Sequence, residues 1–147
     1  MDPDIPRDEV QSAWASWPLL VTHPWEVYLT FTFPTATNPD RAASLWKQFT
    51  DKTAKELLPC RKARKEGLPW LAAFEQHQSG GTHIHALLSG VAELTYRQLA
   101  DHWLAVAGSK IVDIRQFDPK GNALSYLTKA ANTASGEIVV ARYFNYT

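Results

Sequence analysis

Six side chains with chemistry to offer stand in two short segments of this chain. Glu75, His77, His83 and His85 lie within eleven residues of one another, and Tyr126 and Lys129 follow some forty residues later. Imidazoles and a carboxylate are the donors that hold a divalent cation, and two His with one carboxylate leave coordination positions open for a substrate. A His-x-His pair by itself is commonly structural. Here a Glu stands nearby in the chain and three of the five His fall within nine residues, which favours a metal site. Mixed nitrogen and oxygen ligation suits Mn²⁺ or Mg²⁺, and Zn²⁺ or Co²⁺ are also compatible. Tyr126 and Lys129, three apart, are neighbours on a helix surface. A phenol is a poor nucleophile at its usual pKa of about 10, but an amine and a metal-polarised phosphate beside it make it usable. Taken without the first segment, the pair reads as a partly buried Tyr and a solvated Lys on an amphipathic helix.

The first segment must be positioned by a hairpin. Two mostly apolar runs in 70–88 flank Ser79, Gly80 and Gly81, the pattern of two antiparallel strands joined by a loop of a few residues. Alternation puts His83 and His85 on one face, with Ile84, Ala86 and Leu88 on the other. On the first strand Glu75 and His77 share a face, opposite Ala72, Phe74 and Gln76. With His77 placed across from His83, Glu75 falls across from His85, at the roughly 4.5–5.5 Å Cβ separation of opposed residues.

The rest of the chain supplies strands and helices around this hairpin. Residues 7–17 predict a short helix carrying Val10, Trp14 and Trp17. Residues 25–33 predict a central strand, with Tyr28, Thr30 and Thr32 on one face and Val27, Leu29, Phe31 and Phe33 on the other, core face. Asn38 and Pro39 are an N-cap and a first-turn proline, opening a helix to about Leu58 with Ala42, Leu45, Trp46, Phe49 and Ala54 inward. Thr95 to Gln98 is a capping-box pattern, predicting a helix that runs to about Ala107 and stops at Gly108. Residues 111–117 alternate like a strand that exposes Asp113 and Arg115. A helix over 122–132 carries Tyr126 and Lys129, with Leu124, Leu127 and Ala131 as its packing stripe. Residues 137–143 predict a last strand or a tail that pairs with a partner. The order implies an α+β fold, a two-layer sandwich with a central antiparallel sheet and helices mainly on one face, and its crossovers resemble the split β-α-β of ferredoxin-like folds.

Bulk properties bound the class. The 147 residues read as one domain, with 45% hydrophobic and 20% charged residues, ordinary for a globular protein. No apolar run approaches the roughly 18 residues of a membrane span, and the first residues lack the basic and apolar regions of a signal peptide. The single Cys fits a reducing compartment. A soluble protein of the cytoplasm is expected. Net charge is zero, so nothing global announces a nucleic-acid partner. Locally, Arg61, Lys62, Arg64 and Lys65 form a basic connector that suits either solvent or phosphate contact.

Together these motifs resemble the HUH endonucleases. The residues that carry the likeness are Glu75-x-His77, the seven-residue gap from Glu75 to His83, the His83-Ile84-His85 triplet, Tyr126-x-x-Lys129, and the aromatic-threonine strand from Tyr28 to Pro34. Within that superfamily the chain is most similar to the single-tyrosine replication initiator (Rep) nuclease domain of circular single-stranded DNA viruses and rolling-circle plasmids. The resemblance covers three motifs in order over about 100 residues. It implies a divalent ion held by Glu75, His83 and His85, with His77 as a fourth ligand or a residue behind the ligands. It further implies sequence-specific nicking and joining of single-stranded DNA at an origin stem-loop, with Tyr126 as nucleophile and Lys129 assisting. Thr30, Thr32 and the basic connector become candidates for DNA contact. Nothing in these residues reads as the helicase domain that commonly follows the nuclease, so a fused or host helicase is an expected partner. Alternative readings are a single-tyrosine transposase of an insertion sequence, a non-catalytic nucleic-acid-binding module, and a small metallohydrolase.

Overall fold

In the computed structural model the described residues are 22–58, 65, 67–76, 81–121, 123, 124 and 127, with 136–140 as backbone. Five strands form one antiparallel sheet: β1 (Val27–Phe31), β2 (Trp70–Gln76), β3 (Thr82–Leu88), β4 (Val112–Gln116) and β5 (Gly136–Val140), in the spatial order β4-β1-β3-β2-β5. Among the described residues the helices α1 (Pro39–Lys52) and α2 (Tyr96–Ala107) complete an α+β sandwich. The expected last strand is therefore β5, paired with β2 inside this sheet. Ala123, Leu124 and Leu127 are helical, as expected of the segment 122–132, and Leu127 is fully buried. The predicted helix 7–17, the connector residues Arg61, Lys62 and Arg64, and His77, Tyr126 and Lys129 lie outside the described residues. Lys65 is described and exposed. Among the described residues no helix is long and apolar enough to cross a membrane.

Local chemistry sets the helix ends. Asn38 Oδ1 accepts from the Arg41 amide at 2.8 Å while Pro39 occupies the first turn, where its missing N–H costs nothing. The capping box of α2 is complete: Gln98 N donates to Thr95 Oγ1 at 3.1 Å and Thr95 N donates to Gln98 Oε1 at 2.8 Å. Gly108 ends α2 at φ 77°, a left-handed conformation that glycine adopts without a Cβ penalty. The first helix departs from the expected run to Leu58. Regular α-helix ends at Lys52 and a single π-helical turn spans Thr53–Leu57. The Thr53 hydroxyl donates to the Phe49 carbonyl at 2.6 Å, a side-chain bond of the kind that competes with the helical ladder.

Both helices pack on one face of the sheet. Phe31 stacks on Trp103 of α2 at 4.5 Å between centroids and meets Phe49 of α1 edge-on at 5.1 Å, while Trp46 of α1 meets Trp70 of β2 edge-on at 5.8 Å. Such offset and edge contacts suit the ring quadrupoles and add to the area they bury. Val27, Leu29, Phe31, Ile84, Ala86, Leu88, Trp70, Ala72 and Phe74 face these helices, and each is buried. On the second face Leu71 and Leu87 are 0% exposed and Ala73 1%, so that face is closed near one end. It opens toward Thr30 and Glu75, which are half-buried.

Trp103 is fully buried, stacks on Phe31, and donates its indole N–H to the Thr32 carbonyl at 3.0 Å. Trp103→Ala is expected to cost about 3–5 kcal/mol, read as a lower denaturation midpoint, whereas exposed Arg97→Ala should move it little. Two histidines predict a pH response. Burial holds the His102 imidazole below its usual 6.5, against the charge of Glu56 and with the help of Lys52, and burial does the same to His23 against Glu26. Each folded-state value lies below the unfolded one, so as pH falls below about 6.5 the unfolded chain takes up protons first. Their contribution to stability is full above that pH and declines beneath it. Urea midpoints should be lower at pH 5.5 than at pH 7.5, with the difference smaller in a His23→Gln/His102→Gln variant. A midpoint equal at both pH values would contradict this.

Candidate metal centre

The hairpin register differs from the expected one by two residues. Glu75 stands opposite His83, and His85 stands opposite Ala73 on β2 and Thr30 on β1. The reason lies on the other face. The observed pairing sets Trp70 against Leu88, Ala72 against Ala86 and Phe74 against Ile84, and leaves Gln76 opposite Thr82 at the sheet end. The expected register would have set Gln76 against fully buried Ile84, burying an amide on the helix-covered face. A two-residue shift preserves face parity. Glu75, His83 and His85 therefore share the second face as expected, although their neighbours change.

A close pair on that face is diagonal. His85 Nε2 lies 3.1 Å from Glu75 Oε2, with the His85 side chain 10% exposed and that of Glu75 27%. On the far side of the ring, His85 Nδ1 lies 3.4 Å from Thr30 Oγ1. A chain of polar groups thus crosses the three central strands, from Thr30 on β1 through His85 on β3 to Glu75 on β2. At the β5 position beside Glu75 stands Gly136, which adds no side chain to that row.

His83 lines an adjacent cleft of about 250 Å³ with Phe33, Pro34, Thr35, Ala36, Gly81 and Thr82. The wall of the cleft is pinned to the hairpin, because Thr82 Oγ1 donates to the Thr37 carbonyl at 2.7 Å. Phe33 is braced edge-on against Trp103 at 5.5 Å. This cleft is a feature the sequence reading missed. Its components lie some fifty residues apart, and only the pairing of β1 with β3 brings them together.

The spacing of Glu75 and His85 is that of a hydrogen-bonded pair and is also compatible with two ligands of one divalent cation. Two donor atoms each roughly 2.1 Å from one ion stand about 3.0–3.4 Å apart at ordinary coordination angles, and Glu75 Oε2 and His85 Nε2 are separated by 3.1 Å. The third expected ligand, His83, is the direct cross-strand neighbour of Glu75. The three side chains do not converge on one point: among the described residues no three His, Cys, Asp or Glu side chains form a closed ligand group. What the structure brings together is a Glu75–His85 pair with His83 next to it.

The two threonines proposed for DNA contact have protein partners. Thr30 meets His85. Thr32 Oγ1 donates to the Ile111 carbonyl at 2.7 Å and lies 3.0 Å from Ser109 Oγ, tying the end of β1 to the entry of β4. Across the sheet on the same face as Thr30, exposed Arg115 forms a forked pair with Asp113, with contacts of 2.9, 3.2 and 2.9 Å. No protein-family model, curated protein or solved structure matches this chain.

Truncating Glu75 would leave His85 Nε2 nearly buried without this acceptor. Glu75→Ala is expected to cost about 1–3 kcal/mol, whereas Glu75→Gln, which keeps an amide oxygen, should cost less. Denaturant titration in a chelator-containing buffer reads this effect independently of any metal. Equal midpoints for the two variants would remove the pair's role in the fold.

Proposed function

We propose that this protein is a divalent-metal-dependent endonuclease of single-stranded DNA, of the HUH Rep type, that nicks and rejoins strands through a covalent tyrosine link. The observation that carries the reading is the placement of Glu75, His83 and His85 on one face of the two strands at the sheet centre, two of them at ligand spacing. Toward Thr30 and Glu75 that face opens beside a cleft.

In this reading Glu75, His83 and His85 hold Mn²⁺ or Mg²⁺. When bound, the ion supplies Lewis-acid polarisation of a non-bridging oxygen of the scissile phosphate. Tyr126 provides the nucleophile. Its oxygen bonds to phosphorus as the bond from phosphorus to the 3′ oxygen breaks, giving a 5′-phosphotyrosine and a free 3′-hydroxyl. The phenol's proton passes, directly or through solvent, to the departing 3′ oxygen, and the Lys129 ammonium neutralises charge on the phosphate. Since one phosphodiester replaces another, the 3′-hydroxyl can attack in return and rejoin strands. Rolling-circle initiation at an origin stem-loop, with a fused or host helicase to unwind the duplex, is the process such a reaction serves.

Incubation with Mn²⁺ and a 5′- or 3′-labelled single-stranded oligonucleotide carrying an origin-like stem-loop tests the proposal. A protein–DNA adduct that survives boiling in detergent is expected from the wild type and absent from Tyr126→Phe. His85→Ala should lose cleavage by at least a hundredfold while retaining most DNA binding. Cleavage without an adduct would replace this reading with water-activating hydrolysis, and binding without cleavage would leave a nucleic-acid-binding module.

A further inference from the structure

An imidazole ring on a strand can turn over about its χ2 bond, exchanging the edge that carries Nε2 for one that carries carbon. Such a ring presents a chosen nitrogen only if something holds the other one. For His85 the candidate is Thr30, its cross-strand neighbour on β1, whose Oγ1 lies 3.4 Å from Nδ1 while Nε2 faces Glu75 at 3.1 Å. The sheet does not require a hydroxyl at this position. Valine has the same shape and at least as strong a strand preference, and the site is half-buried and flanked by 0%-exposed Leu29 and Phe31. A hydroxyl adds the capacity both to donate and to accept. It can donate to a bare Nδ1 while Nε2–H faces Glu75, and accept from Nδ1–H when the Nε2 lone pair is given to a cation.

We infer that Thr30 is a positioning residue, whose hydroxyl holds His85 Nδ1 so that Nε2 is the nitrogen presented toward Glu75 and toward a bound divalent cation. Thr30 then acts behind the ligand and not on DNA, and the cation half of the inference rests on the ligand assignment of the preceding section. Partners of this kind fix the tautomer and orientation of ligating histidines, and losing them typically weakens metal binding about ten- to a hundredfold.

Two variants and two readouts decide it. Thr30→Val keeps the shape and removes the hydroxyl, and Thr30→Ser keeps the hydroxyl and removes the methyl. In the metal-free protein, long-range ¹H–¹⁵N spectra report the ring nitrogens of His85, assigned by their loss in His85→Gln. The Nδ1 resonance is expected to move from its wild-type position in Thr30→Val and to stay near it in Thr30→Ser. Mn²⁺ titration by calorimetry should show affinity about ten- to a hundredfold weaker in Thr30→Val and within about threefold of wild type in Thr30→Ser. Amide spectra confirm that each variant is folded, and Thr30→Ser carries the test if Thr30→Val is not. An unmoved Nδ1 resonance in Thr30→Val, or a Thr30→Ser variant that behaves like Thr30→Val, overturns the inference. If wild type fails to bind Mn²⁺ while the Nδ1 resonance still responds, the orienting role stands and the ligand assignment falls.

Discussion

The arrangement of this protein depends on β3 being paired on both sides. Ile84, Ala86 and Leu88 are 0% exposed under the helices, between Phe31, Leu29 and Val27 on one side and Phe74, Ala72 and Trp70 on the other. Burying apolar side chains is the largest favourable contribution to folding, and a strand offers no way to turn Ile84 inward without turning His83 and His85 outward. The core therefore dictates the polar face. A slip of one residue would send both imidazoles beneath Trp46 and Trp103, and a slip of two would bury Gln76, so the pairing has little freedom.

The aromatic cluster makes that pairing rigid. Phe31, Trp46, Phe49, Trp70 and Trp103 join one sheet face to both helices through stacked and edge-on contacts. The Trp103 indole reaches past the core to the Thr32 carbonyl, and the Thr32 hydroxyl reaches the loop before β4. The end of β1 is held from both directions, which steadies the cleft wall formed by residues 33–36. On this scaffold the pair of Glu75 and His85 is a polar contact sheltered from water, where electrostatic interactions are stronger than at an open surface. The cost of desolvating them is offset by contacts at both ring nitrogens, to Glu75 and to Thr30. Placement on three adjacent central strands, and not on loops, is what a site needs if its geometry is to be held within fractions of an ångström.

Much of this was legible in the chain itself. The caps at Asn38, Thr95 and Gly108, the inward stripe of α1 and the alternation of β4 are local patterns, and each is in the structure. The shared face of Glu75, His83 and His85 follows from alternation once the two strands are recognised. Periodicity did not reveal where α1 stops being regular, because the apolar spacing carries on into the π-helical turn, where Ala54 is still buried.

The residue order alone determined which elements form and which side chains share a face, because caps, turns and alternation act over a few neighbouring positions. Only the tertiary structure decided who stands beside whom on that face. Glu75 met His83 across the strands and His85 on the diagonal, and Thr30 turned to an imidazole of β3. The physical reason is that register between strands is chosen by the sum of packing on the buried side, over Phe74, Ile84, Phe31 and the helices that cover them. No local stretch of sequence contains that sum.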